Sequence, residues 1–319
     1  MRCFDVFNGD ADGICALRQL RLAEPRDAVL VTGLKRDIEL VKRARAGRRD
    51  LVTVLDVSLD RNRAAVEALL AAGASVRYFD HHFAGAVPSH PGFTATIDQA
   101  AAICTSAIVD RHLGGRFRAW AVAGAFGDNL PDLGLDLAAT LALDAESVEW
   151  LRELGESINY NAYGESLDDV LVSPGELYRV ASRYADPLDF VRDEPLIARL
   201  TERRVTDLHR ALAWSPLRST LAADVYVLPH AAWSRRVSGT LANRLAIAQP
   251  AKAHAVVTPQ TDGGYSVSVR APRGMRTTAL DFCRRFPGGG GRALAAGIER
   301  LAPAELDRFV EQFSVAWMG

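Results

Sequence analysis

The residues that decide the fold run from 74 to 82 and read ASVRYFDHH. The first six make a mostly apolar run of the kind found in β-strands, and Asp80, His81 and His82 follow where that strand would end. Two imidazoles and a carboxylate are costly to bury without a partner, and a metal ion is the usual partner of such a cluster. The stretch therefore predicts a strand that carries metal-binding side chains at its carboxyl end.

Acidic residues follow three other apolar runs in the same way. They are Asp10 and Asp12 after residues 3–7, Asp56 after residues 51–55, and Asp128 after residues 120–126. Carboxylates two residues apart in a turn repel each other, and a divalent cation removes that cost. Carboxylates and imidazoles gathered at the ends of strands are the groups that a metal-assisted hydrolase needs. We therefore expect one metal centre that draws on all four places.

Two of these carboxylates also have a structural alternative. Asp before a helix commonly accepts hydrogen bonds from free amides, so a helix cap is the alternative for Asp12. For Asp56 the alternative is a structural residue, with Ser58 or Asp60 capping the next helix. Adjacent histidines are harder to explain in this way, because neighbours on a strand point to opposite faces.

The first half of the chain alternates apolar runs with helical patterns. We predict strands near residues 3–7, 28–33, 51–55, 75–79 and 94–97, and helices over 14–22, 38–46 and 62–72. This alternation is typical of an α/β fold, with a parallel sheet, right-handed crossovers and helices on both faces. Ligand sites in such sheets lie beyond the carboxyl ends of the strands, where the acidic residues fall.

The second half of the chain changes character. From about residue 104 to 217 the pattern is largely helical, and strand signals return at 225–228, 253–258 and 265–269. A chain of 319 residues is long for a single core. We predict a parallel-sheet domain over 1–190, a helical linker over 191–219, and a smaller mixed α/β domain over 220–319.

Composition narrows the class of protein. The chain is 49% hydrophobic and 24% charged, and its net charge of −1 argues against a broad nucleic-acid surface while allowing a local basic groove. The four cysteines are far apart and fit a reducing compartment. No stretch resembles a signal segment or is long enough to span a bilayer, so we expect a cytoplasmic protein without a membrane partner. The sequence leaves a homodimer open.

The acidic and histidine residues carry a resemblance to a known family. Residues 10–13, Asp56, residues 80–82 and Asp128 resemble the four motifs of the DHH phosphoesterase superfamily. Residues 288–297, which read GGGGRALAAG, resemble the glycine-rich signature of its companion substrate domain, DHHA1. The resemblance covers nearly the whole chain. It implies a metal-dependent phosphoesterase with a DHH domain followed by a DHHA1-like domain.

The resemblance also implies roles for the metal ligands. It implies two manganese ions bridged by Asp56, and magnesium is the alternative metal. Asp10 would serve the first ion, whereas Asp12, His81 and Asp128 would serve the second. Two such ions hold the attacking and leaving oxygens of a phosphate for in-line displacement.

Three residues would take part in catalysis according to the same resemblance. Asp56 bridges the ions, His82 faces the scissile phosphate, and Asp80 orients and supports its neighbours.

The sequence departs from the family pattern at two positions. Asn8 lies two residues before the first aspartate, where many relatives have a histidine ligand. Its neutral amide would bind the first metal more weakly, and a turn residue is the alternative. Arg292 follows the glycines, where relatives usually have histidine. An arginine keeps its charge at every pH and can grip phosphate with two hydrogen bonds.

The glycine run predicts a phosphate cradle. Gly289, Gly290 and Gly291 would turn backbone amides toward an anion ahead of a helix-compatible stretch at 293–297, and a flexible loop is the alternative. Ser268 and Arg270 resemble the substrate-contacting strand of the companion domain, with a solvated strand face as the alternative. Arg292, Arg270, Ser268 and the three glycines are thus the expected substrate-binding residues.

We expect hydrolysis of phosphoester bonds in short single-stranded oligonucleotides or small nucleotides. A nucleotide phosphomonoesterase and a cyclic-dinucleotide phosphodiesterase are alternatives within the same chemistry. Asn8 and Arg292 motivate a different alternative, a nucleotide-binding protein with weakened catalysis.

Overall fold

The computed structural model describes residues 1–317 and divides the chain into two compact units, Met1–Glu202 and Arg203–Gly319. The first unit holds a five-stranded sheet. Its strands are β1 (Cys3–Asn8), β2 (Val29–Gly33), β3 (Leu51–Leu55), β4 (Ser75–Asp80) and β5 (Phe93–Ile97). All neighbours pair in parallel in the order β2-β1-β3-β4-β5. The predicted parallel sheet is confirmed.

Nine helices begin in the part of the first unit that the structure describes. They are α1 (Ala11–Ala23), α2 (Leu59–Ala71), α3 (Thr105–His112), α4 (Arg118–Gly127), α5 (Pro131–Ala138), α6 (Ala145–Ala162), α7 (Pro174–Ala181), α8 (Pro187–Asp193) and α9 (Pro195–Leu212). Helix α9 crosses the division between the two units. None of the described helices has both the length and the apolar character needed to cross a membrane.

The central strands β1, β3 and β4 are mostly buried, and their alternating side chains pack against different helices on the two faces. Val6 and Val54 pack with Leu70 of α2 on one face, whereas Phe7 and Leu55 pack with α1 and its neighbouring helices on the other. The predicted helices on both faces are therefore confirmed.

One predicted helix is wrong. Residues 38–46 form only a short 3₁₀ turn, Val41–Arg43. The side chain of Asn62 on α2 explains this, since its Oδ1 accepts from Val41 N at 3.1 Å and its Nδ2 donates to Ile38 O at 2.6 Å. These bonds satisfy backbone groups that a helix would otherwise pair within itself.

The second unit holds a mixed six-stranded sheet. Its strands are β6 (Arg218–Ser219), β7 (Ala223–Val227), β8 (Ala253–Pro259), β9 (Tyr265–Arg270), β10 (Gly289–Gly291) and β11 (Ala295–Leu301). The order is β10-β11-β9-β8-β7-β6, and only β7 and β8 pair in parallel. The helices are α10 (Ala232–Ala248), α11 (Ala279–Cys283) and α12 (Leu306–Val315). An aromatic cluster that includes Phe282, Phe309 and Phe313 fills the core.

The glycine run and the residues after it form a β-hairpin. Gly290 pairs with Gly297 across β10 and β11, and β11 continues the sheet against β9. The prediction of a helix-compatible stretch at 293–297 is wrong, because Ala296 and Ile298 are buried at alternating positions in the core of the sheet.

Candidate metal centre

The first unit gathers its acidic motifs at one edge of the parallel sheet. Asp10 follows β1, Asp56 follows β3, and Asp80 is the last residue of β4. The chain leaves β1 toward β2 on one side and later returns to β3 on the other side. The carboxyl ends of β1 and β3 therefore form a topological switch point, where α/β sheets bind ligands.

Asp128 reaches this edge of the sheet from the end of α4, because α1 and α6 both lie unusually close to the end of α4. A Cβ on Gly127 would lie 2.3 Å from Ala11 Cβ of α1 and 2.7 Å from Gly155 O of α6. Glycine alone permits this approach, and Asp128 caps α4 immediately after it.

The gathered side chains lie within reach of a shared ion. His81 Nε2 lies 3.5 Å from Asp56 Oδ1 and 4.0 Å from Asp128 Oδ2. Two sets of three residues offer ligand atoms that lie within 4.8 Å of one another inside each set. One set is Asp56 with His81 and His82, and the other is Asp12 with His81 and Asp128. His81 belongs to both sets, so it lies at the middle of the cluster.

A bond outside the cluster orients His81. Its Nδ1 lies 2.9 Å from Ile103 O. A carbonyl oxygen can only accept, so Nδ1 carries the proton and Nε2 presents a lone pair to the carboxylates. This arrangement is how histidine ligands of metals are usually held.

Asp12 does not cap its own helix. Asp10 caps α1, accepting from Gly13 N at 3.1 Å, whereas Asp12 binds the start of α3. Its Oδ2 accepts from Thr105 N at 2.7 Å and its Oδ1 from Ser106 N at 2.6 Å. The side chain is thereby fixed at the carboxyl edge of the sheet.

Asp56 has a strained backbone. Its φ is +58°, and few residues other than glycine, asparagine or aspartate adopt this conformation. Asp56 N donates to Phe79 O at 3.0 Å, and Thr105 Oγ1 donates to Asp56 Oδ1 at 3.2 Å. Ser58 stands at the N-cap of α2 without a capping hydrogen bond, and Asp56 faces the cluster. Strain of this kind, of the order of 1–3 kcal/mol, concentrates at functional sites.

The carboxylates disfavour one another's charge. Burial raises the pKa of Asp56 well above its ordinary value, and repulsion from Asp10 and Asp12 raises it further. Burial also raises the pKa of Asp128, although the Lys35 ammonium opposes that shift. One oxygen of Asp80, Oδ2, is buried without a hydrogen-bond partner among the described residues. A divalent cation fits this excess of buried negative charge.

His82 faces outward from the same cluster. Its Nδ1 lies 2.7 Å from Asp80 Oδ1, and its side chain is 41% exposed. Burial opposes charge on this ring, yet the hydrogen bond and the charge of Asp80 prevail and raise the pKa of His82. The hydrogen bond to Asp80 leaves Nε2 available to a ligand.

Sequence reasoning missed Lys35, which belongs to the cluster. Its Nζ lies 2.6 Å from Asp10 Oδ2 and 3.6 Å from Asp128 Oδ1. Burial alone would raise the pKa of Asp10, but the charge and hydrogen bond of Lys35 lower it. The location of Lys35 just after β2 could have predicted its place in the cluster, because the loop after β2 opens onto the same edge of the sheet.

The described donors form two overlapping sets, and neither set contains Asp10 or Asn8. Asp56 with His81 and His82 makes one set, and Asp12 with His81 and Asp128 makes the other. The residues expected for the first ion are engaged elsewhere. Asn8 is buried and its Oδ1 accepts from Asp10 N at 3.2 Å, as its alternative role in a turn predicts.

Three solved structures share the architecture of this chain. Exonuclease RecJ bound to manganese has a TM-score of 0.64 at 18% identity, covering 99% of this chain and 90% of that one. RecJ from Thermus thermophilus in complex with Mn²⁺ has a TM-score of 0.59 at 18% identity, covering 99% of this chain and 52% of that one. The pGpG-specific phosphodiesterase PggH from Vibrio cholerae has a TM-score of 0.56 at 15% identity, covering 100% and 99%.

The chain has the fold of RecJ. The two-part α/β architecture expected from the DHH and DHHA1 resemblance is thereby confirmed. No protein-family model and no curated protein matches the sequence.

The expected substrate-binding residues occupy the second unit of this RecJ fold. Ser268 and Arg270 alternate along β9 on the face that carries α10, and Arg270 Nε donates to Asn243 Oδ1 at 2.7 Å. Arg292 is exposed in the turn between β10 and β11, where its N donates to Ala295 O at 2.8 Å.

The glycine run is an edge strand in this fold. A Cβ on Gly289 would lie 1.9 Å from Cys283 O, so that position demands glycine, whereas a Cβ on Gly290 would meet nothing within 4 Å. Gly291 has a φ of +134°, which also favours glycine. The run is therefore built for close packing beside α11 as well as for a turn.

Proposed function

We propose that the chain is a metal-dependent phosphoesterase that hydrolyses phosphoester bonds in short single-stranded oligonucleotides or small nucleotides. The observation that carries the proposal is the cluster at the carboxyl ends of β1, β3 and β4. It buries Asp10, Asp12, Asp56 and Asp80 beside His81. A protein keeps such a cluster, at a cost in stability, where it serves a function.

The donor set suits manganese or magnesium. Asp12, Asp56, His81 and Asp128 would hold the ion, and the imidazole favours manganese. When bound, the ion would supply Lewis-acid activation of a phosphate oxygen and of water. Thr105 and Ser106 would keep Asp56 and Asp12 in place for this task through the bonds described above.

His82 and Asp80 would act on the phosphate itself. His82 is the exposed member of the cluster. Its raised pKa favours the protonated ring, in which Nδ1–H binds Asp80 and Nε2–H would donate to a phosphate or leaving-group oxygen. Asp80 fixes the ring through Nδ1 and would hold the proton on that side. The pair thus combines an oriented donor with a buried carboxylate, the arrangement that general acid catalysis requires.

The second unit would supply substrate contacts. Guanidinium groups bind phosphate with paired hydrogen bonds, and Arg292 and Arg270 offer two such groups. We assign them, together with Ser268 and the run Gly289–Gly291, to the binding of the nucleotide.

A substrate panel in Mn²⁺ tests the proposal. It contains dinucleotide to pentanucleotide RNA, matched DNA, a cyclic dinucleotide and pAp, with released mononucleotide and phosphate as the readout. We expect mononucleotide release from the short strands, reduced by more than about a hundredfold in Asp56→Ala and about 10–100-fold in Asp80→Ala. Asp136→Ala, which removes an exposed aspartate on α5, is the matched control and should retain full activity.

The panel also separates the alternatives. Phosphate release from pAp alone would indicate a phosphomonoesterase, and cleavage of the cyclic dinucleotide alone would indicate a cyclic-dinucleotide phosphodiesterase. Nucleotide binding without turnover of any member would contradict the proposed activity and favour a binding protein.

A further inference from the structure

Lys35 lies inside the metal centre rather than beside it. Its ammonium lies 2.6 Å from Asp10 Oδ2, 3.6 Å from Asp128 Oδ1 and 3.2 Å from Asn159 Oδ1. Asp10 and Asn159 accept hydrogen bonds from this ammonium, and Asp128 adds the charge of a nearby carboxylate. The ring of Tyr163 adds a contact at 5.7 Å from its centroid. These contacts are the surroundings of a bound cation.

The backbone of Lys35 is fixed as firmly as its side chain. Lys35 N donates to Ala162 O at 3.0 Å, and Ala162 is the last residue of α6. The carboxyl end of a helix carries partial negative charge, which favours a cation there. Asn159 belongs to the same last turn. Helix α6 therefore holds the lysine from both its main chain and its side chain.

The position of this ammonium conflicts with a second metal ion. Asp10 Oδ2 accepts from the charged ammonium of Lys35, whereas the donors that hold Asp12 are neutral amides and a hydroxyl. Neither set of three clustered ligand atoms includes Asp10. An ion bound to Asp10 Oδ2 would lie against the ammonium, and the two positive charges would repel each other at short range. Asn8, the other residue expected for that ion, offers only a neutral oxygen.

We propose that Lys35 takes the place of one of the two divalent cations, so that the centre binds a single ion. This inference rests on the proposed function, because both concern the same metal site. The bound ion lies among Asp12, Asp56, His81 and Asp128, and the ammonium neutralises Asp10 where a second ion would do so. Lys35 is then a fixed positive charge at the centre, present whether or not metal is supplied.

The number of bound manganese ions tests the inference without any reference to activity. Protein equilibrated with excess Mn²⁺ and separated from free ion is analysed for metal per chain, and its electron paramagnetic resonance spectrum is recorded. We expect one ion per chain and the hyperfine pattern of an isolated ion. Lys35→Met should bind two ions and show an exchange-coupled pair, because Asp10 is released.

Two further variants make the result specific. Lys35→Arg keeps the charge and should bind one ion. Lys42→Met removes an exposed lysine paired with Glu39 and should also bind one. Should Lys35→Met fail to fold, the counts for the wild type and Lys35→Arg decide the matter.

Two ions or none in the wild type would overturn the inference, as would a single ion in folded Lys35→Met. One ion bound by a protein that hydrolyses none of the panel substrates would leave the lysine inference standing and contradict the proposed activity instead.

Discussion

Individual side chains of the centre are held by partners that do not belong to it. Ile103 O orients His81, and the first amides of α3 hold Asp12. Each bond satisfies a buried polar group and also fixes a ligand direction. The geometry of the site therefore depends on residues that a motif does not contain.

An ion pair outside the site gives a pH prediction at this scale. Hydrogen bonds from the backbone and side chain of Arg2 lower the pKa of Asp50 from 3.8 to about 2. A lowered carboxyl pKa stabilises the fold above the unfolded value and loses that effect as pH falls through the folded value. Asp50→Asn should therefore be less stable than the wild type at pH 7, and the difference should shrink as the pH falls from about 4 to about 2.

Urea unfolding at a series of pH values measures this difference. Asp136→Asn, at an exposed site, is the control and should follow the wild type throughout. A difference for Asp50→Asn that stays constant between pH 7 and pH 2 would contradict the assignment.

At the scale of elements, the centre depends on how closely helices approach the sheet edge. Helices α1, α4 and α6 converge at Gly127, so that Asp128 reaches the carboxylates that follow β1 and β3. The close approach places the end of α6 near Lys35 as well, through Ala162 O.

Gly127→Ala tests that approach. The added methyl group would overlap Ala11 and the backbone of Gly155, so we expect a loss of about 1–3 kcal/mol in the free energy of unfolding. We also expect weaker Mn²⁺ binding by calorimetry, because Asp128 is displaced. Gly47→Ala is the matched control, since its Cβ would meet nothing within 4 Å. Equal manganese affinities in the two variants would show that Asp128 is not positioned in this way.

At the scale of the whole molecule, the buried carboxylates make the metal-free protein less stable than its core would allow. Repulsion within the cluster is present whenever the carboxylates are charged, and a bound cation relieves it. A ligand that binds only the folded state also stabilises it by mass action.

Manganese should therefore raise the midpoint of thermal unfolding. At a free concentration one hundred times the dissociation constant, the expected gain is about 2.7 kcal/mol, and a chelator should reverse it. Asp56→Ala should show little gain, whereas Asp136→Ala should respond like the wild type. An unchanged midpoint in the wild type at millimolar Mn²⁺ would argue that the cluster binds no ion.

The order of residues along the chain was enough to predict the periodic elements and the ends of the strands that carry the chemistry. Apolar runs and alternation depend on neighbours along the chain, so β1 to β5 and the positions of Asp10, Asp56 and Asp80 could be predicted. The prediction that these residues serve metal and substrate remains a proposal.

Only the folded structure shows which residues far apart in the chain come into contact. Lys35 contacts Asp10 and Asp128 and is held by α6. Residues 38–46 do not form a helix because the side chain of Asn62 bonds their backbone. The run after the glycines forms a strand that pairs with β9. Each outcome depends on contacts between residues far apart in the chain, whose energies local patterns do not encode. The pattern along the chain therefore predicts which polar residues follow a strand. Tertiary packing decides which charged group lies next to each of them.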